Sequence, residues 1–373
     1  MPPHVRLLLL ADSHLGFDLP TRPRVERRRR GPDFLANHER ALEPALKGEV
    51  DLVVHGGDVF HRSRVPPSLA FQAFRLLVEV AESGVPVFVV PGNHERSVIP
   101  HERFASHSKL HLFRSPGTSV VVARNLRVAV SGFPYQRRRI RECFPRLLEG
   151  TGWRREEADL RFLCMHHCVE GARVGPSGYT FRHAPDVVSC SDLPSDFAAV
   201  LSGHIHRHQV LRQDLQGRPL VTPVLYPGSV ERTAFAEMGE EKGFMMLKVE
   251  PGGSGGRLVR HDFLPLPARP MLVRDLIPEC GLGAFWRRHE LEAQLDRALA
   301  SVLRDSIVRV QVQGRVPPDA RPAVAASRIR GLSHPEMNVE VVQEDIAARG
   351  KRIRRGERTS ADMGGQLRLG SWT

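Results

Sequence analysis

Five short clusters of oxygen- and nitrogen-bearing side chains recur in this sequence, each where an apolar run stops. They are Asp12-Ser13-His14, Gly57-Asp58, Asn93-His94-Glu95, His166-His167 and Gly203-His204-Ile205-His206. Asp12 and His14 are two positions apart, so on extended backbone both point the same way and can grip one ion together. The amide oxygen of Asn93 can ligate a cation without adding charge, and His204 and His206 can face two different ions. Successive side chains alternate, so only one of His166 and His167 can face a site shared with the other clusters; His166 is favoured. Asp12, His14, Asp58, Asn93, His166, His204 and His206 make seven candidate ligands without a thiolate. That donor set suits Mn²⁺, Fe²⁺ or Zn²⁺ and is too large for one ion. Two ions sharing Asp58 fit the number. Such a pair, roughly 3.5 to 4 Å apart, lowers the pKa of a bridging water and clamps the attacking and leaving oxygens of a displacement at phosphorus. Hydrolysis of a phosphate ester is therefore the expected chemistry, with His94 beside the ligands to protonate the leaving alkoxide or stabilise the transition-state charge.

Each cluster alone has a plainer explanation. An Asp after Gly-Gly is commonly a turn cap, and a lone His is commonly a satisfied core residue. Recurrence at five strand ends outweighs these, because it needs five elements that all end at one edge. Val5–Ala11, Asp51–Val54, Val85–Val90, Leu160–Met165 and Ala198–Ser202 read as buried strands, and open α/β sheets bind ligands beyond the carboxyl ends of such strands. Between them, Phe34–Lys47 reads as an amphipathic helix. A second helix opens at Pro66 and Pro67 and stops at Gly84. Residues Val120–Val122 and Leu126–Ser131 read as a hairpin, and Arg137–Arg141 as the start of a surface helix. The stretches at 208–213, 220–226, 243–249 and 258–264 alternate like antiparallel strands of a second sheet. Tyr226-Pro227-Gly228-Ser229 and Arg232 fall at a tight turn. Pro265–Pro270 reads as a linker. After it come a helix near 284–303, a strand at 306–313, a helix after Pro318 and a strand near 338–342, a small α/β unit. Residues 351–373 are basic, rich in glycine and poor in apolar residues, so disorder is expected there.

Composition narrows the partners. The 373 residues are 41% hydrophobic and carry a net charge of +12, which favours an anionic partner such as nucleic acid. Only five of the 54 basic residues are lysine, a skew toward arginine that codon composition also produces. Thr21–Arg30 holds six arginines and one acid, which suits a solvated loop and phosphate contact equally well. Aromatic content of 6% is too low for extended base stacking, so sequence-independent binding through phosphates is expected. Five cysteines without Cys-x-x-Cys spacing read as reduced thiols, and no apolar run is long enough to cross a bilayer; both point to a cytoplasmic protein. Cys164 and Cys168 share parity with His166, which admits a Cys-His zinc site, although thiols on an apolar strand are more often inert.

As an ordered set, Asp12-x-His14, Gly57-Asp58, Gly92-Asn93-His94-Glu95, His166 and Gly203-His204-x-His206 resemble the motifs of the calcineurin-like metallophosphoesterases. Asp12-Ser13-His14-Leu15-Gly16, Gly57-Asp58-Val59-Phe60-His61, Tyr226-Pro227-Gly228-Ser229-x-x-Arg232 and Lys242-Gly243-Phe244 are similar to the DNA-repair exonuclease branch, the SbcD-like nucleases. The resemblance covers about residues 5–265. It implies an α/β fold, a four-layer α/β/β/α sandwich over residues 1–265, with a small C-terminal α/β cap at 271–345 that contacts DNA and a basic tail at 346–373. It further implies two divalent ions, most simply Mn²⁺. Asp12, His14, Asp58 and His206 would hold one ion and Asp58, Asn93, His166 and His204 the other. His94 and His61 would act on the phosphate, and Arg232 would contact substrate.

The expected activity is then two-metal DNA nuclease action in DNA repair, exonucleolytic first, with endonucleolytic cutting as a further mode. A phosphoesterase for small esters or nucleotides and a non-catalytic DNA-binding subunit are the alternative readings. Partners of the nuclease reading are DNA, an SMC-like ATPase of the SbcC type and a second copy of the chain. That branch commonly hands a C-terminal helical segment to its ATPase, whereas the stretch after Gln343 here is short, basic and unpatterned.

Overall fold

The structure is a computed structural model, and it describes residues 3–18, 28–95 and 107–344. Most of the arginine-rich stretch and the basic C-terminal tail lie outside these residues. The chain divides between Ala268 and Arg269 into two compact units, within the segment expected to be a linker.

Alternation along the buried strands builds the first unit. Strand β1 (Val5–Leu10) pairs in parallel with β2 (Leu52–His55), which pairs with β3 (Val87–Val89), followed by β4 (Leu110–Leu112). A second sheet contains β5 (Gly117–Ala123), β6 (Leu126–Gly132), β7 (Leu160–Met165), β8 (Ala199–Ser202), β9 (Gln209–Gln213) and β10 (Pro219–Tyr226), in the order β9-β10-β8-β7-β6-β5. In β1, Leu8 and Leu10 face one way, onto helices α1 (Gly31–Leu46) and α2 (Pro67–Glu82). Leu7 and Leu9 face the other way, into a core shared with Val128, Val130, Phe162 and Leu201 of the second sheet. The far side of that sheet, through Leu163, Met165 and Val200, is covered by Ile140, Phe144 and Leu148 of helix α3 (Ile140–Gly150). The layers therefore run helix, sheet, sheet, helix, which explains why the central strands are apolar on both faces. Helix α1 buries Phe34, Asn37, His38, Ala41, Leu42 and Ala45, a stripe with helical period.

One expectation is corrected. Strands β11 (Gly243–Glu250) and β12 (Arg257–Pro265) do not join β9 and β10 in one sheet. β11 lies antiparallel to β1, so both close the edge of the first sheet, while β9 and β10 belong to the second. Local alternation identifies a strand but carries no information about its distant partner.

The second unit holds three parallel strands, β13 (Met271–Leu276), β14 (Ile307–Gln313) and β15 (Asn338–Glu344), with helices α4 (Arg288–Ala300) and α5 (Ala326–Leu332). Val308, Val310 and Val312 of the central strand pack with Leu291, Leu295 and Leu299 of α4 and with Trp286. β13 adds a strand that the sequence pattern does not reveal, because prolines precede it and only six residues carry the alternation.

Candidate metal centre

All five polar clusters lie at the ends of β1, β2, β3, β7 and β8, and the chain turns sharply at each. Asp12 N–H donates to Gly57 O (2.9 Å), His14 N–H to Asp58 O (3.0 Å) and Leu15 N–H to Val59 O (2.8 Å), so the first two turns are laced together by backbone. Asp12, His14, Asp58 and His204 adopt φ of 51°, 43°, 53° and 79°. Such left-handed backbone costs an L residue roughly 1–2 kcal/mol and persists where surrounding structure over-determines it. Two glycines make the close approach feasible. A Cβ on Gly57 would lie 2.5 Å from His166 Nδ1, and one on Gly92 would overlap the Asp58 carboxylate.

The side chains then converge. His14 Nε2 is 3.0 Å from His206 Nε2, and Asp12 Oδ1 is 3.9 Å from the first and 3.8 Å from the second. Asp58 Oδ2 is 4.0 Å from His14 Nε2 and 3.3 Å from His166 Nε2, so this carboxylate stands between two donor groups. On its far side Asn93 Oδ1 is 3.1 Å from His166 Nε2 and 2.8 Å from His204 Nδ1. Asp12, His14 and His206 form one set able to hold a cation, and Asp12, Asp58 and His166 another.

The orientation of these groups fits a cation. The His166 Nδ1–H donates to Gly56 O (2.7 Å) and the His206 Nδ1–H to Glu237 Oε1 (3.0 Å), so in each neutral ring Nε2 presents its lone pair to the cluster. Nitrogen and oxygen lone pairs then face one another across about 3 Å, an arrangement that attracts positive charge. Protons supply that charge in the metal-free protein. Burial lifts the Asp12 carboxyl to about 6. Burial would lower His166, but the carboxylates of Asp58 and Asp12 more than compensate and raise it to about 9. His14 is held well below its usual value by burial and by His206, and His204 is lowered to about 3 by burial and by His166; neutral imidazole is the form that ligates.

His94 and His61 flank the cluster. His94 N–H donates to Asp58 Oδ1 (2.9 Å), its Nδ1 bonds the His61 carbonyl, and its Nε2 lies 3.8 Å from Asp58 Oδ2. The His61 ring sits beside His14, with Nδ1 atoms 3.3 Å apart, and burial together with His94 lowers its pKa to about 4. His166 faces the cluster, whereas His167 turns to the opposite side, accepts the Gln136 N–H (3.1 Å) and stacks on Tyr135 with ring centroids 4.8 Å apart.

Arg232 is buried; its Nε is 3.2 Å from Glu231 Oε1 and its guanidinium also donates to Met238 O, contacts that hold the side chain to its own loop. Cys164 and Cys168 agree with the favoured expectation of inert thiols on an apolar strand. Cys164 packs between the two sheets and Cys168 on the far side of the second, and burial raises both thiols.

Several residues receive a supporting role only from the structure. Glu237 holds His206 and also accepts Thr233 Oγ1 (2.7 Å). Fully buried Lys242 donates to His206 O (2.8 Å) and pairs with Glu237 and Glu240, each at 2.9 Å. Glu95 accepts the N–H groups of Phe60 (3.1 Å) and Gly92 (2.9 Å), clamping the two loops that carry Asp58 and Asn93. The Asn93-His94-Glu95 spacing exposes Glu95 to view; nothing in the order of residues links Glu237 to His206.

Comparison with known proteins agrees with this geometry. A DNA double-strand break repair protein Mre11 of Aeropyrum pernix is 30% identical over 239 residues, covering 61% of this chain and 53% of that protein. The Mre11 of Archaeoglobus fulgidus is 24% identical over 374 residues, covering 90% of this chain and 74% of that protein. The SbcD component of the nuclease SbcCD from Bacillus subtilis is 27% identical over 285 residues, covering 66% of this chain and 67% of that protein. The chain thus spans about half the length of the first of these relatives. Residues 5–208, more than half of the chain and inclusive of all seven converging ligand candidates, match the calcineurin-like phosphoesterase family, and to that family the chain belongs.

Proposed function

We propose that this chain is a two-metal-dependent DNA nuclease, acting as an exonuclease and able to cut internally by the same chemistry, with Mn²⁺ as its working ion. The observation that carries the reading is the position of Asp58, whose carboxylate adjoins His14 on one side and His166 on the other. Asp12, His14, Asp58 and His206 would hold one ion, and Asp58, Asn93, His166 and His204 the second. Bound divalent ions supply the charge that acidifies water and offsets the developing charge at phosphorus. The protein's own contribution is orientation and a proton. The His94 Nδ1 hydrogen bond to the His61 carbonyl aims Nε2 toward the cluster, where it can protonate the leaving alkoxide. His61, beside His14, limits the space in which a phosphate can sit.

Support for DNA as substrate comes from the surface near the site. Arg62 and Arg64 follow His61, and Arg137 and Arg138 follow Tyr135; all four are exposed. Guanidinium groups so placed suit phosphate contact without base reading. The names of the relatives point the same way, and one is named as part of a larger nuclease, which favours an SMC-like ATPase of the SbcC type as partner. The cap at 271–345 would add DNA contacts, and a dimer of this chain is compatible with the reading.

The test is hydrolysis of end-labelled double- and single-stranded DNA with Mn²⁺, beside bis-p-nitrophenyl phosphate. DNA cleavage that vanishes in Asp58→Ala is the expected result. Cleavage of the small ester alone would instead assign the site to small phosphoesters or nucleotides, which the family match by itself equally allows.

A further inference from the structure

Directly beneath the ligand turns, the first unit buries three polar side chains for which the chemistry above has no use: Ser13, His38 and His55, all fully buried. Ser13 lies between Asp12 and His14, His55 ends β2 two residues before Gly57, and His38 comes from the buried face of α1. Ser13 Oγ is 2.9 Å from His38 Nδ1 and 2.9 Å from His55 Nε2. The Gly57 N–H donates to His55 Nδ1 at 3.2 Å.

That last bond gives the series a direction. A backbone N–H only donates, so His55 Nδ1 is bare, and neutral His55 must carry its hydrogen on Nε2 and donate it to Ser13 Oγ. The Ser13 hydroxyl then donates to His38 Nδ1, which leaves the His38 hydrogen on Nε2. Burial holds His38 down to about 4 and His55 well below its usual value, so both rings stay uncharged. His38 Nε2 ends the series buried and without a hydrogen-bond partner among the described residues. An apolar core would avoid that orphaned donor, so retaining the series calls for a reason.

The reason offered by the geometry is the backbone above it. Asp12, His14 and Asp58 all sit in left-handed conformations, and Ser13 lies between the first two. We propose that Ser13, His55 and His38 are positioning residues that lock the Asp12–His14 turn to the Gly57–Asp58 turn and so set the spacing of the two carboxylates that face the metals. The inference rests on the two-metal reading above. His55 acts as the strut, since one ring nitrogen holds the second turn by its backbone and the other holds the first turn through Ser13.

The experiment is Mn²⁺ titration calorimetry on the full chain as wild type, Ser13→Ala and Val53→Ala, with histidine ¹⁵N NMR of the wild type. Val53 shares β2 with His55 and is equally buried, so its truncation reports loss of packing alone. Ser13→Ala should weaken Mn²⁺ binding by about 10- to 100-fold, the range found when groups supporting a ligand are removed, while Val53→Ala lowers Tm without moving Kd. NMR should find His38 and His55 neutral and protonated on Nε2. Wild-type affinity in Ser13→Ala, or His55 protonated on Nδ1, would overturn the proposal. A wild-type chain that binds no Mn²⁺ would instead overturn the two-metal reading on which it stands.

Discussion

His206 and His166 belong to different sets of candidate ligands, and the protein supports them by different means. Behind His206 stands a carboxylate, Glu237, itself held by Thr233 and Lys242. Behind His166 stands the backbone carbonyl of Gly56, in a turn made tight by Gly57 and braced against Gly203. The His206 side chain is 24% exposed and the His166 side chain is not exposed at all. A carboxylate makes its imidazole more basic and fixes its tautomer at a position water can reach, whereas a buried side can rely on rigid backbone. The outer side is thus tunable through side chains, and the inner side through the fold.

The largest expected effect follows from protons on the inner side. In the metal-free protein His166 is raised to about 9, so below that pH it holds a proton that a metal must displace. Affinity follows the unprotonated fraction of His166, so Mn²⁺ should bind about 50-fold more weakly at pH 7 than at pH 9. Calorimetry in buffers of differing ionisation heat would count the protons released. Affinity that is flat between pH 7 and 9 would mean that metal binding displaces no proton from His166, and the contrast between the two sides would lose its inner half.

A change on the outer side should be smaller and confined to one ion. Glu237→Gln keeps an oxygen for the His206 Nδ1–H but removes the charge. We expect affinity at that ion to fall by about 10-fold, the low end for a supporting group, with the second ion bound as before. Two resolved binding steps, one shifted and one unmoved, would sharpen the comparison. Equal weakening of both steps would erase it.

These two supports are unequally legible in the sequence. Asp12, Asp58, Asn93 and His204 announce themselves because a buried strand is a continuous apolar run, and a polar residue just beyond it has only the sheet's edge to occupy. Glu237 gives no such sign, since it lies in a short helical turn with no period to read. Ser13 is visible only as a spacer, and His38 only as a position on an amphipathic helix, because their meeting depends on α1 packing across β1 and β2. Arg232 stands at the tight turn that the sequence shows, but Glu231 next to it is a buried partner that local sequence does not distinguish from a solvated acid. The placement of β11 beside β1 escapes for the same reason, being a pairing across more than 230 residues.

The smallest expected effect is that of His167→Gln, which, set against His166→Gln as the reference that removes a ligand outright, tests whether the inner side depends on direction more than on residue type. The two are adjacent just past the end of β7, both buried and both imidazoles, and differ in the direction their rings take and so in the partners they meet. His166→Gln places a flexible amide where a fixed lone pair met Asp58 and Asn93, so metal binding at the inner ion should be lost. In His167→Gln the side-chain oxygen can still accept the Gln136 N–H, while stacking on Tyr135 is given up. That change should lower Tm by about 1–2 °C, the shift that roughly 1 kcal/mol produces at this size, and leave Mn²⁺ affinity within about twofold. If His167→Gln weakened the metal as much as His166→Gln, the inner side would depend on Tyr135 and the strand as a whole, and position at the strand end would not suffice to explain which histidine binds.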